Sequence, residues 1–449
     1  MSARPRISAS PRLSATLQLL ARYESPNVTF MARDGSWPIV WSRAKGTRVW
    51  DEQGAEYLDL TAAFGVAASG HANGAVVRAG QKQMAQLLHA MGDVHPHPQK
   101  AALARELSRI TFERWHGSEG RSIFCNSGFE AVEAALKTAL LATGRSRVLA
   151  FRGAYHGLGY GTLNTTERNY FRAPFHSQLA GFGEFEAFPR SEEELAGIAP
   201  NCRRRLRSKK IGAILVEPVQ GRGGINVPPP NFLPLLRKLA DESGALLIFD
   251  EIYTGFGRTG RWFAAEHSQT VPDLVCVGKA LAGGFPISAC IGRADLMNQA
   301  WPKSHGEALH TSTFLGHPVG CAMALAQIAE ITKKKLVGRA DRFGSFLRVE
   351  LERWRDATQP KLAQRGVTAS VRGIGLMVGV ELTSLDGQPA GVLTMDWVKR
   401  LLRCGFIFLP EGEHGNVLSI TPPLIISMHE LMCALAAMEV EMDYMLAAK

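Results

Sequence analysis

At 449 residues the chain is longer than a single hydrophobic core supports, so two domains with terminal segments are expected. Hydrophobic residues at 46% and charged residues at 20% exclude a disordered or fibrous chain, and no apolar run approaches the ~18 residues that cross a bilayer, which predicts a soluble protein with no membrane partner. The formal charge of +10 suits an enzyme of anionic ligands as well as a nucleic-acid binder and decides nothing alone, while seven cysteines, odd in number and without C-x-x-C spacing, argue against a disulfide framework or zinc site and for a reducing, cytoplasmic setting.

The N-terminal stretch carries Arg4, Arg6, Arg12 and Arg22 among serines with no acid, the composition of an organelle transit peptide. The favoured alternative is a basic arm leading into a short helix at Leu13–Tyr23. Thr47–Asp51, Gly54 and Tyr57–Leu60 read as strand, turn, strand. Short aliphatic runs at Ser122–Cys125, Val148–Phe151, Ile211–Val216, Ala245–Phe249 and Leu274–Val277 then alternate with helical periodicity. That order predicts an α/β fold with a mostly parallel sheet flanked by helices and buried on both faces. The basic run Arg203, Arg204, Arg205, Arg207, Lys209 and Lys210 lacks interleaved aromatics and reads as a solvated loop or helix end, not a nucleic-acid site. From about Cys321 long helical stretches lead to a Gly-rich strand region at Val371–Glu381 and a closing helix from Ser427. The methionines of that helix, 428, 432, 438, 442 and 445, fall at the spacing of a packing face. The expected division is residues 1–60 as arm and small-domain segment, 61–320 as large domain, and 321–449 as a smaller α+β domain completed by the N-terminal segment.

Three places bear chemistry. At Asn126–Ala131 a strand ends and an amphipathic helix, Ala131–Ala142, begins; a helix N-terminus preceded by Gly128 offers unpaired N–H groups and a positive dipole end to a phosphate, or is simply a turn capped by Ser127. At Asp250-Glu251 two carboxylates stand at the carboxyl end of an apolar strand, where open α/β sheets bind ligands. An aspartate there suits a cation such as a protonated pyridine nitrogen, or caps the following turn. Lys279 follows another apolar strand and precedes Gly283-Gly284, and a desolvated lysine is a nucleophile and base near neutral pH. Each feature alone is commonplace, but their joint occurrence in this order is not.

In these motifs the chain resembles a class III aminotransferase of the fold type I pyridoxal-phosphate superfamily, from about Val49 to Leu424. The resemblance implies pyridoxal 5'-phosphate held by Lys279 as a Schiff base, with the phosphate on the N–H groups of Gly128 and Phe129 beside Ser127. Phe129 stands where many members have Ser or Thr. It further implies that Tyr155 of Tyr155-His156-Gly157 stacks on the pyridine ring, that Asp250 faces its nitrogen and that Glu217, in Glu217-Pro218-Val219-Gln220-Gly221, supports the site. Tyr253 stands where some relatives have a glutamine that bonds the ring hydroxyl, and a phenol could do the same. Thr313, in His310–Phe314, resembles the threonine that reaches the phosphate of the neighbouring subunit's cofactor, which implies an obligate homodimer.

The implied reaction is ping-pong amino transfer from an amine or ω-amino acid donor to a 2-oxo acid, with Lys279 as base and no metal. Relatives acting on ω-amino acids carry an arginine where Ser419 stands, and a glutamate where Arg222 stands. The cation has therefore changed sides, and Arg222 is the candidate carboxylate clamp. The plainer reading is a solvent-facing residue in a Gly-rich turn, and Arg372 is a rival clamp. An aminomutase or decarboxylase could share the scaffold. Gly255–Gly260 satisfies G-x-G-x-x-G, so an NAD(P)-binding oxidoreductase is the outside alternative, although no helix start follows it.

Overall fold

The computed structural model describes residues 14–447. Helix formation begins at Ala15–Tyr23, capped by Ser14, as expected from the sequence; of the four arginines behind the transit-peptide reading, Arg22 lies in this helix and Arg4, Arg6 and Arg12 lie outside the described residues. Strands β1 (Trp41–Lys45), β2 (Arg48–Asp51) and β3 (Glu56–Asp59) form an antiparallel meander, one strand longer than the hairpin predicted.

The central sheet has seven strands: β4 (Gly120–Cys125), β5 (Arg147–Phe151), β6 (Gly183–Glu186), β7 (Ile211–Val216), β8 (Leu246–Asp250), β9 (Leu274–Val277) and β10 (Ser288–Arg293). They lie in the order β4-β10-β9-β8-β7-β5-β6, and only β10 runs against its neighbours. Every residue of β7 and of β9 is buried, which is why these strands read as unbroken apolar runs. Helix α1 (Gly128–Thr143) packs on one face against Val148, Ala213, Ile248 and Cys276. Helices α2 (Glu192–Arg207) and α3 (Phe232–Ser243) turn their apolar stripes to the other, where Leu206, Leu236 and Leu239 meet Ile214 and Phe249. The basic run is thus the last turn of α2 and the turn after it, where cations oppose the negative end of the helix dipole.

Parallel strands with helical crossovers have a common sense, so β5, β7, β8 and β9 all deliver their carboxyl ends to one edge of the sheet. The residues just beyond those ends are the ones singled out above.

Helices α4 (Pro318–Lys333) and α5 (Leu336–Gln364) lead to the antiparallel strands β11 (Val367–Ile374) and β12 (Met377–Ser384), then α6 (Gly391–Arg403). Strand β13 (Phe406–Ile407) runs parallel to β3, so the C-terminal region completes the N-terminal sheet. Strands β14 (Leu409–Glu411) and β15 (Val417–Ile420) complete a second sheet in the order β11-β12-β15-β14. Helix α7 (Met428–Ala447) closes the chain, burying Met438 and Met442 while leaving Met432 exposed. Among the described residues no helix is long and apolar enough to cross a membrane.

Candidate active site

At the carboxyl edge of the sheet lies a cavity of about 300 Å³, lined among others by Gly128, Tyr155, His156, Asp250, Tyr253 and Lys279. Lys279 is the second residue after β9 and has φ of 35°, a left-handed conformation that costs a non-glycine residue about 1–2 kcal/mol and is held by the packing around it. Its Nζ sits 4.0 Å from the centre of the Tyr253 ring. Burial lowers its pKa below the usual lysine value, against the opposing pull of Asp250, Glu217 and Glu411, so the neutral amine is favoured more than in water.

Asp250 ends β8 and is buried. One carboxylate oxygen lies 2.8 Å from Nδ1 of His156 and the other accepts the Ile252 N–H at 3.1 Å. His156 is itself buried, and its Nε2 has no hydrogen-bond partner. The proton on Nδ1 is therefore the one that holds the carboxylate in place. Glu217, just after β7, accepts from the N–H of Tyr155 at 3.0 Å and of Gly221 at 3.0 Å, tying two loops together; burial pushes its carboxyl up to about 7.

Helix α1 starts at Gly128, three residues before the predicted Ala131. The Glu130 carboxylate accepts from the N–H groups of Asn126 and Ser127, at 2.8 Å each, and so nucleates an earlier first turn. The first-turn N–H groups of Gly128 and Phe129 cannot be paired within the helix. Ser127 Oγ is buried without a partner, and Phe129 is half-exposed over the loop that holds Tyr155 and His156. Gly157 adopts φ of 109° and a side chain there would overlap Phe129 Cβ, so this approach requires glycine.

Tyr253 presents its ring face to Lys279, but its hydroxyl is 3.1 Å from Thr421 Oγ1. That contact occupies one of the phenol's hydrogen-bonding positions and leaves capacity for a ligand hydroxyl. Arg222 lines the cavity with its guanidinium 5.0 Å from the Tyr155 ring centre and its Nε 3.7 Å from Glu411, and its side chain is 37% exposed. Arg372 is engaged elsewhere, on Glu381 at 2.6 Å and on the carbonyls of Gly224 and Ile225. Thr313 is exposed and outside this cavity; its neighbour Ser312 accepts from Asn126 Nδ2 at 3.1 Å. Sequence reasoning missed Glu411, at the end of β14, and Thr421, just after β15, and gave no role to Arg258, whose buried guanidinium donates to the carbonyls of Leu376 and Pro422. The Gly255–Gly260 loop opens no long helix, only the short turn Ala264–His267, and Gly260 packs on Asp341, so it lacks the form of a dinucleotide fingerprint.

The family model described as aminotransferase class-III matches residues 30–441. The chain belongs to the class III aminotransferases. It is 36% identical over 400 residues to the acetylornithine aminotransferase of Methanopyrus kandleri, covering 89% of this chain and 93% of that one. It is 32% identical over 421 residues to ornithine aminotransferase 1 of Staphylococcus aureus, covering 89% and 94%. Among solved structures it resembles the ornithine aminotransferase of Toxoplasma gondii, with a TM-score of 0.82, 28% identity and coverage of 96% and 94%. A PLP-bound amine transaminase from an uncultivated Pseudomonas species matches with a TM-score of 0.82, 28% identity and coverage of 94% and 98%. As a class III aminotransferase the chain has the fold type I architecture and is a pyridoxal-phosphate-dependent enzyme that transfers amino groups to 2-oxo acids; neither the aminomutase nor the oxidoreductase alternative is favoured.

Proposed function

We propose that this cavity moves the terminal amino group of an ω-amino acid to a 2-oxo acid, with Lys279 holding the cofactor and carrying the proton. The observation that carries the reading is a buried lysine, in a strained left-handed conformation, sharing one cavity with a histidine-braced aspartate and an open helix N-terminus. These residues fit pyridoxal phosphate. The orphaned Ser127 Oγ and the first-turn N–H groups of Gly128 and Phe129 would hold the phosphate, the ring of Tyr155 would cover one face of the pyridine, and Asp250 would meet its nitrogen. When bound, the cofactor supplies an aldehyde for the donor's amine and a cationic ring that draws off electrons when the neighbouring C–H bond breaks.

The chain's own residues do the rest. Asp250, fixed by the Nδ1 proton of His156 and by the Ile252 N–H, is aimed where a ring cation would sit. Glu217 sets the Tyr155 and Gly221 loops at a common height by accepting from both. Lys279, neutral more readily than an exposed lysine, can take a proton from the donor carbon and return it. Arg222, at the cavity's open side, would grip the substrate carboxylate. The ω-amino acid class follows from the ornithine and acetylornithine aminotransferases to which the chain is similar.

The exposed apolar side chains Leu88, Val94, Leu309 and Phe314 support a homodimer in which Thr313 reaches the partner's phosphate site. Residues 61–320 would form the cofactor domain, and 14–60 with 321–447 the smaller one, a division supported by the β3–β13 pairing. Seven free cysteines fit a cytoplasmic setting. The test is a visible spectrum of the purified protein, then a panel of amines and ω-amino acids with pyruvate and 2-oxoglutarate. A cofactor band and acceptor-dependent loss of a terminal amine are expected; a colourless protein, or product formation without acceptor, would overturn the reading.

A further inference from the structure

Glu411 has no part in the chemistry above, yet its position is unusual for a carboxylate. It closes the edge strand β14 and is 4% exposed. Among the described residues no donor reaches its side chain within hydrogen-bond distance. Its nearest cation is Arg222, whose Nε stands 3.7 Å from Oε2 and is itself buried without a hydrogen-bond partner. The main chains are locked together, since the Gly412 N–H donates to the Arg222 carbonyl at 3.1 Å, so the fold keeps the two residues side by side. Lys279, Tyr253, Tyr155 and Arg168 are the other titratable groups that feel the Glu411 charge.

A buried carboxylate is costly unless it is bonded, and burial does push the Glu411 carboxyl above its usual range in spite of the three cations around it. The Arg222–Glu411 pair is therefore two opposite charges held side by side, each with unused hydrogen-bonding capacity; Arg222 lines the cavity that holds Lys279, and Glu411 stands directly behind it. The chemical group complementary to such a pair is a zwitterion, with an ammonium and a carboxylate on one carbon. A substrate gripped there by its zwitterionic end would have to react at Lys279 through an amine at its other end.

Resting on the ω-amino acid reading above, we infer that Glu411 is a specificity-determining residue that binds the free α-ammonium of a diamino acid donor while Arg222 binds the adjacent carboxylate. A donor whose α-amine is acylated presents a neutral amide to Glu411 and loses the charge-assisted bond.

The test compares ornithine with Nα-acetylornithine as donors, with 2-oxoglutarate or pyruvate as acceptor, in the wild type and in Glu411→Gln. The same donors are also titrated without acceptor, following the cofactor absorption, to separate binding from turnover. A lost hydrogen bond to a charged group corresponds to about ten- to hundredfold, so the wild type should favour ornithine by that order in kcat/KM and Glu411→Gln should erase the preference, chiefly through donor affinity. An unaltered preference in a variant that still takes up cofactor would overturn the assignment. So would a wild type that favours the acetylated donor, a result that needs no variant to fold. If neither donor is turned over, the diamino acid assignment falls, and turnover of a simple monoamine in the same assay would show that amino transfer itself stands.

Discussion

The Tyr253 ring is wedged between two glycines, and this makes Gly221→Ala an informative perturbation. A Cβ at Gly221 would overlap Tyr253 Cδ1 and lie 3.0 Å from Cε1, with Met377 Cε at 3.4 Å behind. The opposite edge of the ring is no freer, because a Cβ at Gly65 would come within 2.5 Å of Cε2 and 2.8 Å of Cδ2. One end of the ring is tied to Thr421, and its face carries the Lys279 amine at 4.0 Å. The ring therefore has nowhere to slide, and an added methyl should cost the about 1–3 kcal/mol typical of an overpacked core. At roughly 2 °C per kcal/mol for a large domain, the melting temperature should fall by about 2–6 °C at a fixed scan rate. Tyr253→Leu removes the obstructing edge, so the double variant should melt above the sum of the single effects, with a coupling of about 1 kcal/mol or more. Additive losses across the four proteins would refute the claim that Gly221 is glycine because of Tyr253.

Arg222→Ala should raise KM for pyruvate and 2-oxoglutarate about tenfold, the low end for a charged hydrogen bond because the side chain is 37% exposed; steady-state kinetics showing both KM values unchanged would remove Arg222 from the carboxylate site. Glu251 is buried, and burial pushes its carboxyl up to about 7 although it accepts from Thr254 and the N–H groups of Ala264 and Ala265. Unfolded, it would titrate near 4.5, so between those values the folded chain holds the extra proton and stability falls as pH rises, by about 3 kcal/mol over the window. Glu251→Gln should remove that component when denaturant midpoints at pH 5 and 7.5 are compared with the wild type, and an identical pH slope would contradict it. Sedimentation should give a dimer, and Thr313→Ala should weaken cofactor retention roughly tenfold without changing the sedimenting mass; unchanged retention would rule out the cross-subunit contact.

Much of the sheet was legible because strands buried on both faces leave an unbroken apolar run, as at Ile211–Val216 and Leu274–Val277. Strand β10, Ser-Ala-Cys-Ile-Gly-Arg, carries one β-branched residue and is a strand only because β4 and β9 pair with both its edges. The edge strand β6 is equally short of signal, with Gly and two Glu in four residues. Residues such as Ser127, Glu217, Asp250 and Lys279 could be singled out in order because each ends a strand or closely follows one, and parallel strands bring such positions to one edge. Side-chain direction was not legible. Nothing local shows that the Tyr253 hydroxyl turns to Thr421, or that Arg222 stands beside a glutamate nearly two hundred residues on, since both depend on how the last strands fold back over the sheet.

Lys279 is the proposed point of cofactor attachment. Borohydride reduction of the cofactor-supplied protein, followed by proteolysis and mass spectrometry, should find the cofactor's mass on the peptide containing Lys279, with none on a Lys279→Ala variant that has lost turnover. Label on any other lysine, or an alanine variant that still exchanges amino groups at the wild-type rate, would contradict it.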